Sequence, residues 1–245
     1  MANPKFYDSQ YTQIDERRWQ WRELGGSVKA KNIATIVGDL PVQSIVDIGC
    51  GTGAVLASLA RMSFGQYYYA LDIADQAIHI IKNRSDIPSL VEAKVFDGFH
   101  IPYENRRFDL AILSHVVEHL IDPVPLLQEA TRVARYVAVE VPLEDNLYTR
   151  LKVHLLRSHY REELGHIQWF NQSSFRHLLE HICGLEIMNM SMVYVPDELY
   201  FYRKQGIARR STLLLLGIRK ALRALSSNLY ARLLTDHCIA LVHAL

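Results

Sequence analysis

The stretch Val46-Asp47-Ile48-Gly49-Cys50-Gly51-Thr52-Gly53 decides how the rest of the chain is read. A short apolar run, Ser44 to Ile48, breaks into three glycines at alternate positions, and helical spacing sets in at Ala54. A strand that turns into a helix through glycines lets the backbone approach a ligand closely. The helix start adds free amides and the positive end of its dipole. An anionic or polar ligand is therefore expected over Gly49, Cys50, Gly51 and Gly53. Gly49, Gly51 and Ala54 also satisfy the dinucleotide pattern G-x-G-x-x-A, so the loop alone does not separate ligand classes.

From Ser44 to Pro142 β-branched apolar runs alternate with helical segments. The runs are Ser44 to Ile48, Tyr67 to Ile73, Leu90 to Phe96, Phe108 to Leu113 and Tyr136 to Val141. The helices are Ala54 to Arg61, Asp75 to Arg84 and Val124 to Ala134, with Gly26 to Asp39 leading in. Alternation of this kind predicts an α/β fold with a doubly wound, Rossmann-like parallel sheet whose strands are buried on both faces. Beyond it come a polar helical stretch from Glu144 to Leu164, a helix at Gln172 to Ile182, and strands at Leu185 to Val195 and His237 to His243. No repeat or linker interrupts the chain, which reads as a single domain over 1–245. Its parts are an N-terminal arm and helix (1–43), a ligand-binding core (44–142), a lid and loop (143–170) and C-terminal strands (171–245).

The 245 residues are 49% hydrophobic and 22% charged, which excludes a disordered or low-complexity chain. A net charge of +1 argues against binding nucleic acid by bulk charge. Cys50, Cys183 and Cys238 stand far apart without metal-type pairing, so a reducing, cytoplasmic setting is expected. Met1 to Gln10 has no leader-like apolar stretch, and the charge-free run Ser211 to Ile218 is too short to span a bilayer.

Two further carboxylates point to the ligand. Asp72 ends the second strand, 19 residues after Gly53, where it can accept both hydroxyls of a ribose. Asp97 ends the third strand, where it can accept an exocyclic amine. With these in place, the motifs Asp47 to Gly53, Leu71-Asp72-Ile73, Asp97-Gly98, Phe108-Asp109-Leu110 and Ser114 to Pro123 resemble the class I S-adenosylmethionine-dependent methyltransferases, from about Ser44 to Phe170. The resemblance implies a seven-stranded sheet with an antiparallel last strand. It also implies S-adenosyl-L-methionine as cofactor, with the glycines under its methionine part, Asp72 at the ribose and Asp97 at the adenine. Asp47, Ile73, Gly98 and Ser114 complete the expected cofactor site. A nicotinamide-dependent oxidoreductase would also use Asp72, and a non-catalytic nucleotide-binding module would keep the same loop.

Methyl transfer from a sulfonium asks the protein mainly for alignment and, for a hydroxyl or amine acceptor, removal of a proton. Histidine suits that task near neutral pH. His115 and His119 follow the fourth strand and His166 the fifth, on the side where open α/β sheets bind ligands, and these are the candidate catalytic residues. His115-Val116-Val117-Glu118-His119 also reads as the inverted zinc-peptidase motif H-x-x-E-H. A buried strand before it and Pro123 and Pro125 after it count against that reading, so no metal is expected. Tyr7, Tyr11 and Trp19 of the N-terminal arm, with Trp169, are the expected lining of a small-molecule acceptor pocket, with the acceptor oxygen or nitrogen taking the methyl group.

Leu199 to Thr235 carries eight basic and no acidic residues, leaving a net −7 in the rest of a chain of net +1. Leu214, Ile218, Ala221, Leu222, Leu225, Leu229 and Leu233 form an apolar stripe with Arg219, Lys220 and Arg223 away from its centre. The expected pattern packs the stripe inward and leaves the basic face in water. The sharper reading has that face meeting an anionic membrane or a phosphate-bearing or lipid-linked acceptor. A lid or a homodimer interface would use the same segment.

Overall fold

The computed structural model describes residues 4–12, 14–147, 149–151, 165–196, 199, 207–226, 230, 233–234 and 236–243, with side chains from 6 onward and outside 207–215. The expected lid segment 152–164, and Arg203, Lys204, Leu229 and Arg232 of the basic segment, lie outside the described residues.

Helices α1 (Pro4–Thr12) and α2 (Glu16–Val37) lead into β1 (Ser44–Ile48), α3 (Ala54–Arg61), β2 (Tyr67–Asp72), α4 (Asp75–Lys82) and β3 (Leu90–Val95). Next come β4 (Phe108–Ser114), a 3-10 turn (Val117–His119), α5 (Val124–Val133) and β5 (Ala134–Pro142). The chain closes on α6 (Gln172–His177), one π-helical turn (Leu178–Ile182), β6 (Glu186–Val193), α7 (Ile207–Leu225) and β7 (His237–His243). The seven strands form one sheet in the order β3-β2-β1-β4-β5-β7-β6, in which β1 to β5 pair in parallel and β7 runs antiparallel between β5 and β6. The mostly parallel sheet with an antiparallel last strand is thus the observed fold.

Because strand order reverses between β1 and β4, the carboxyl ends of those strands open a crevice where the chains on either side diverge. The strand cores are apolar on both faces, and each face carries its own cluster. Ile33, Leu56, Leu59, Ile78 and Ile81 from α2, α3 and α4 pack on one side, and Leu126, Leu127, Phe175 and Leu179 from α5, α6 and the π turn on the other. A fully buried leucine such as Leu56 or Leu127 contributes about 1.5–3 kcal/mol, so the sheet that carries the crevice is held rigidly from both sides.

Two expectations need correction. Helix α2 begins at Glu16, not Gly26, with Asp15 capping it through a 2.7 Å bond from the Arg18 amide. An Asp-led start signal outweighs the Gly25-Gly26 pair that looked like a boundary. Helix α7 departs from the expected amphipathic arrangement at Arg219 and Arg223, while Lys220 is exposed as expected and Leu222 is half-buried. Arg219 is buried and pairs with Asp236 at 2.8 Å, and the Arg223 guanidinium lies 3.9 Å from the Tyr194 ring centroid. Ile218 and Leu225 of the stripe are instead 46% and 79% exposed. A buried aspartate beside β7 draws the cations inward, which an apolar count along one helix cannot register.

Candidate active site

The loop after β1 forms one wall of the crevice. Gly49, Gly51 and Gly53 all take positive φ (80°, 54° and 76°). A β-carbon on Gly49 would lie 2.5 Å from Val116 Cγ2, so the turn admits no larger residue there. The Gly49 and Cys50 amides donate to the Leu71 carbonyl at 2.7 and 3.0 Å, and the Gly51 amide donates to Asp72 Oδ2 at 2.8 Å. Asp72 Oδ1 accepts from the Ala74 amide at 3.0 Å. This carboxylate therefore ties the loop to the end of β2. Burial pushes its pKa up, against the amide bonds from Ala74 and Gly51. Burial likewise lifts Asp47 to about 7, with Lys29 opposing and Asp72 adding to the shift.

Helix α1 covers this wall. The Tyr11 hydroxyl is 3.1 Å from where a β-carbon of Gly51 would sit, and Phe6 Cε1 is 3.3 Å from the equivalent point on Gly165. Tyr7 meets His119 edge-on with ring centroids 5.7 Å apart, and the Gln76 amide donates to Asp8. Burial, helped by Glu118 and Asp72, pushes the Tyr7 hydroxyl up to about 12, so it stays a neutral donor.

The floor of the crevice holds two histidine clusters that meet at Glu118. His115 follows β4 with φ +61°, a conformation that costs a β-carbon residue about 1–3 kcal/mol and needs partners to hold it. Its amide donates to the Glu140 carbonyl at 2.9 Å, its Nε2 is 3.2 Å from His237 Nδ1, and its Nδ1 is 3.1 Å from Glu118 Oε1. His237 Nδ1 lies 3.1 Å from Glu140 Oε1, while Asn32 and Ser114 donate to the same carboxylate. Burial would raise Glu140, but the His237 bond and the His237, His115 and Lys29 charges hold it down at about 2.

In the second cluster His119 Nδ1 is 3.0 Å from the Gly165 carbonyl and His166 Nδ1 is 2.6 Å from Glu144 Oε2. The two rings meet edge-on at 4.8 Å between centroids. Burial lowers His119. For His166 burial acts in the same direction, but the Glu144 bond and charge prevail and its pKa is raised. The Glu118 carbonyl accepts the Ile167 and Gln168 amides at 2.8 and 2.9 Å, and this pins the His166 loop to the turn after β4.

Of the residues read from the sequence, the structure brings together Asp47, Gly49, Cys50, Gly51, Gly53, Asp72, Tyr7, Tyr11, Ser114, His115, His119 and His166 around this crevice. Ile73 and Gly98 touch each other beside it, with Ile73 Cγ2 3.2 Å from where a Gly98 β-carbon would lie. Asp97 is exposed, and its Oδ1 accepts the Phe99 and His100 amides at 2.8 and 2.7 Å, so half of it is committed to its own turn. Trp169 is half-buried in the His166 loop. Trp19 does not join the arm's other aromatics: it stacks under Arg84, 5.3 Å from guanidinium to ring, in an outer groove with Glu23, His79 and Asn83. The reason is Arg84, which is held by Glu23 at 2.6 Å and offers the indole a cation. The run from His115 to His119 is not a helix with both histidines on one face. The run is a positive-φ residue followed by a 3-10 turn, and its two histidines serve different clusters.

Sequence reasoning missed Lys29, Glu140, Glu144 and His237. Glu140 carried a signal, since a lone charge inside the apolar run of β5 must have a buried partner.

Comparison with known proteins supplies the remaining distinction. A 2-phytyl-1,4-naphtoquinone methyltransferase from Trichormus variabilis is 30% identical over 134 residues, 51% of this chain and 55% of that protein. The chain spans between 24% and 55% of the length of the curated relatives it matches. Among solved structures, a geranyl diphosphate methyltransferase in complex with geranyl diphosphate and sinefungin aligns with a TM-score of 0.63 at 12% identity, covering 89% of this chain and 78% of that one. A sarcosine dimethylglycine methyltransferase homologue from Galdieria sulphuraria aligns at 0.60 with 16% identity, covering 90% and 85%. At those identities the structures speak to the fold alone. The family described as "Methyltransferase domain" matches residues 17–188, most of the chain and all of the crevice's loop, carboxylate and histidine turns. The glycine loop, the carboxylate at the end of β2 and the sheet order therefore have one common explanation: the chain belongs to the class I S-adenosylmethionine-dependent methyltransferase family.

Proposed function

We propose that the protein moves a methyl group from S-adenosyl-L-methionine to an oxygen or nitrogen of a small-molecule acceptor held between the glycine loop and helix α1. The crevice fits that cofactor. The Gly51 position leaves a cradle that a β-carbon would fill, and Asp72 keeps a lone pair on each oxygen beyond its two amide bonds, enough for two ribose hydroxyls. When bound, the cofactor supplies an activated methyl group with a good leaving group. The protein's share is to align the acceptor and handle its proton.

The observation that carries the reading is the His166–Glu144 pair. With Nδ1–H donated to Glu144 at 2.6 Å, the neutral ring keeps its lone pair on Nε2, and the ring meets His119 edge-on, which Tyr7 meets in turn. That is the arrangement of a proton acceptor oriented by a carboxylate. Tyr7 and Phe6 close the corner against water, which keeps a polar acceptor's interactions strong. The Trichormus relative is named for a phytyl naphthoquinone and the geranyl diphosphate enzyme for an isoprenoid diphosphate, which supports putting lipid-linked and phosphate-bearing acceptors first among candidates.

The test has two parts. Calorimetry should show S-adenosylhomocysteine binding, and labelled methyl transfer should be followed across isoprenoid quinols, isoprenoid diphosphates, phenols and amines. His166→Ala should lower turnover about a hundredfold or more with cofactor affinity nearly unchanged. Cofactor binding without transfer to any acceptor class would leave a nucleotide-binding module.

A further inference from the structure

We propose that Glu118, His119 and His166 form a binding site for one divalent first-row transition-metal ion at the acceptor end of the crevice. Each offers one ligand atom, and these atoms lie within 4.8 Å of one another. Donors to a shared ion at about 2.1 Å sit closer than that, so loading draws the three inward.

The two histidines are oriented as ligands are. Metal-bound imidazoles generally donate their second ring N–H to a carbonyl or carboxylate, which fixes the tautomer and aims the free nitrogen. His119 Nδ1 faces the Gly165 carbonyl and His166 Nδ1 faces Glu144, so both rings hold Nε2 in reserve. The independent observation is Glu118. Its side chain is fully buried, and neither carboxylate oxygen receives a hydrogen bond among the described residues; His115 Nδ1 approaches Oε1 at 3.1 Å without hydrogen-bond alignment. A buried carboxylate is tolerated when it is paired or coordinates a metal.

A second triad, His115, Glu140 and His237, is equally close-set but makes no such demand. Asn32, Ser114 and His237 already occupy both oxygens of Glu140. The sequence reading paired His115 with His119 as the ligands of a possible metal and set a metal aside because a buried strand precedes that run and Pro123 and Pro125 follow it. The structure separates those two and instead brings in His166, 47 positions beyond His119.

Two imidazole nitrogens and one carboxylate suit Mn²⁺, Fe²⁺, Co²⁺ or Zn²⁺ better than Mg²⁺ or Ca²⁺, which prefer all-oxygen shells. Three protein ligands leave positions open for an acceptor oxygen. The inference rests on the proposed methyl transfer and assigns its acceptor: a hydroxyl or phenol that binds the ion as its anion, its proton passing to water because the His166 Nε2 lone pair is then held by the ion and no longer serves as the proton acceptor. The anion's electron pair then forms the C–O bond as the methyl–sulfur bond breaks and its pair stays on sulfur.

The test uses chelator-stripped whole protein titrated with Mn²⁺, Co²⁺ or Zn²⁺ alone, read by calorimetry and, for Co²⁺, by visible absorbance. One saturable equivalent is expected. Glu118→Gln and His119→Ala should abolish it, and Glu144→Gln should weaken it about 10–100-fold. His181→Ala should leave it intact. His181 stacks on His177 at 5.1 Å on the surface and is the alternative place for an adventitious ion. No binding of any of the three ions to the wild-type protein overturns the proposal. So does binding that survives both Glu118→Gln and His119→Ala, or that is lost only in His181→Ala. S-adenosylhomocysteine affinity measured on every sample reports whether each variant is folded. It also separates the two claims: chelated protein that binds the cofactor product and still methylates an acceptor removes the ion and leaves the methyltransferase standing.

Discussion

Replacing Arg219 by alanine should be among the most damaging single changes in the chain, although the residue is part of a basic segment that looks like a solvated face. Its guanidinium and the Asp236 carboxylate are 3% and 2% exposed and 2.8 Å apart. Asp236 Oδ1 also accepts the Val195 amide at 3.1 Å, so it anchors the end of β6 as well as α7. Truncating one partner leaves a buried charge without its counter-ion, which costs about 3–5 kcal/mol. Loss of the guanidinium from the Tyr230 ring, 5.3 Å from its centroid, adds about 0.5–2 kcal/mol. Against a total stability of about 5–15 kcal/mol, that is a large share. Urea titration followed by tryptophan fluorescence measures it. The midpoint should fall with little change in slope, and the melting temperature should drop by about 7–28 °C. Arg219→Met with Asp236→Asn should recover much of the loss, because the uncompensated charge goes with the pair. A single-variant loss under about 1 kcal/mol would refute the buried-pair account. A charge reversal at Arg219 would therefore unfold α7 and is no probe of membrane contact; the exposed Lys220 is the residue to use in vesicle binding.

Asp72→Ala should weaken S-adenosylhomocysteine binding by about 2 kcal/mol or more, since charge-assisted hydrogen bonds to two ribose hydroxyls are lost and the Gly51 amide is left unpaired; calorimetry giving an unchanged affinity would remove Asp72 from the ribose. Gly49→Ala should lose both cofactor affinity and at least about 1–2 kcal/mol of stability, because φ is +80° and the added carbon meets Val116; a fold and affinity unaltered in melting and binding assays would contradict the tight turn. Glu129, bonded to Arg132 at 2.6 Å and to the Ile101 amide at 2.8 Å, has its pKa drawn from 4.5 down to about 2, chiefly by Arg132. A depressed carboxylate stabilises the fold above its unfolded pKa, and the benefit fades as pH falls through the folded one. The stability gap between wild type and Glu129→Gln should thus be about 2 kcal/mol at pH 7 and shrink between pH 4.5 and about 2; a gap that stays constant in urea titrations across that range would show that no linkage exists.

The parallel half of the sheet was legible almost residue by residue. Ser44–Ile48 and Ala54–Arg61 appear where the apolar run and the glycines place them, because a strand buried on both faces leaves a continuous apolar signature that few other structures share. The glycine loop and its tie to Asp72 were legible for a related reason: both are local to the turns after β1 and β2. What escaped depends on partners far apart in sequence. Glu140 meets His237 97 positions away, His119 meets the Gly165 carbonyl 46 away, and Arg219 turns inward for Asp236. Helical periodicity reported that α7 has two unlike faces. It did not say which of them the sheet would claim, and the buried aspartate decided that.

Helix α1 lies across the mouth of the crevice with Tyr11 over Gly51, Tyr7 over His119 and Asp8 holding the start of α4. On the proposed function, a nucleoside entering under those side chains would lift that arm to arrive and again to depart. Helix α1 (Pro4–Thr12) precedes α2 and is not a strand of the sheet, so its opening would be a local event that spares the sheet. Under the proposed methyl transfer, exchange of spent for fresh donor then has its own clock. Once the transfer step outruns that clock, the ceiling on turnover is set by how often nine residues at the start of the chain swing away, and a loosened arm would speed departure while admitting water.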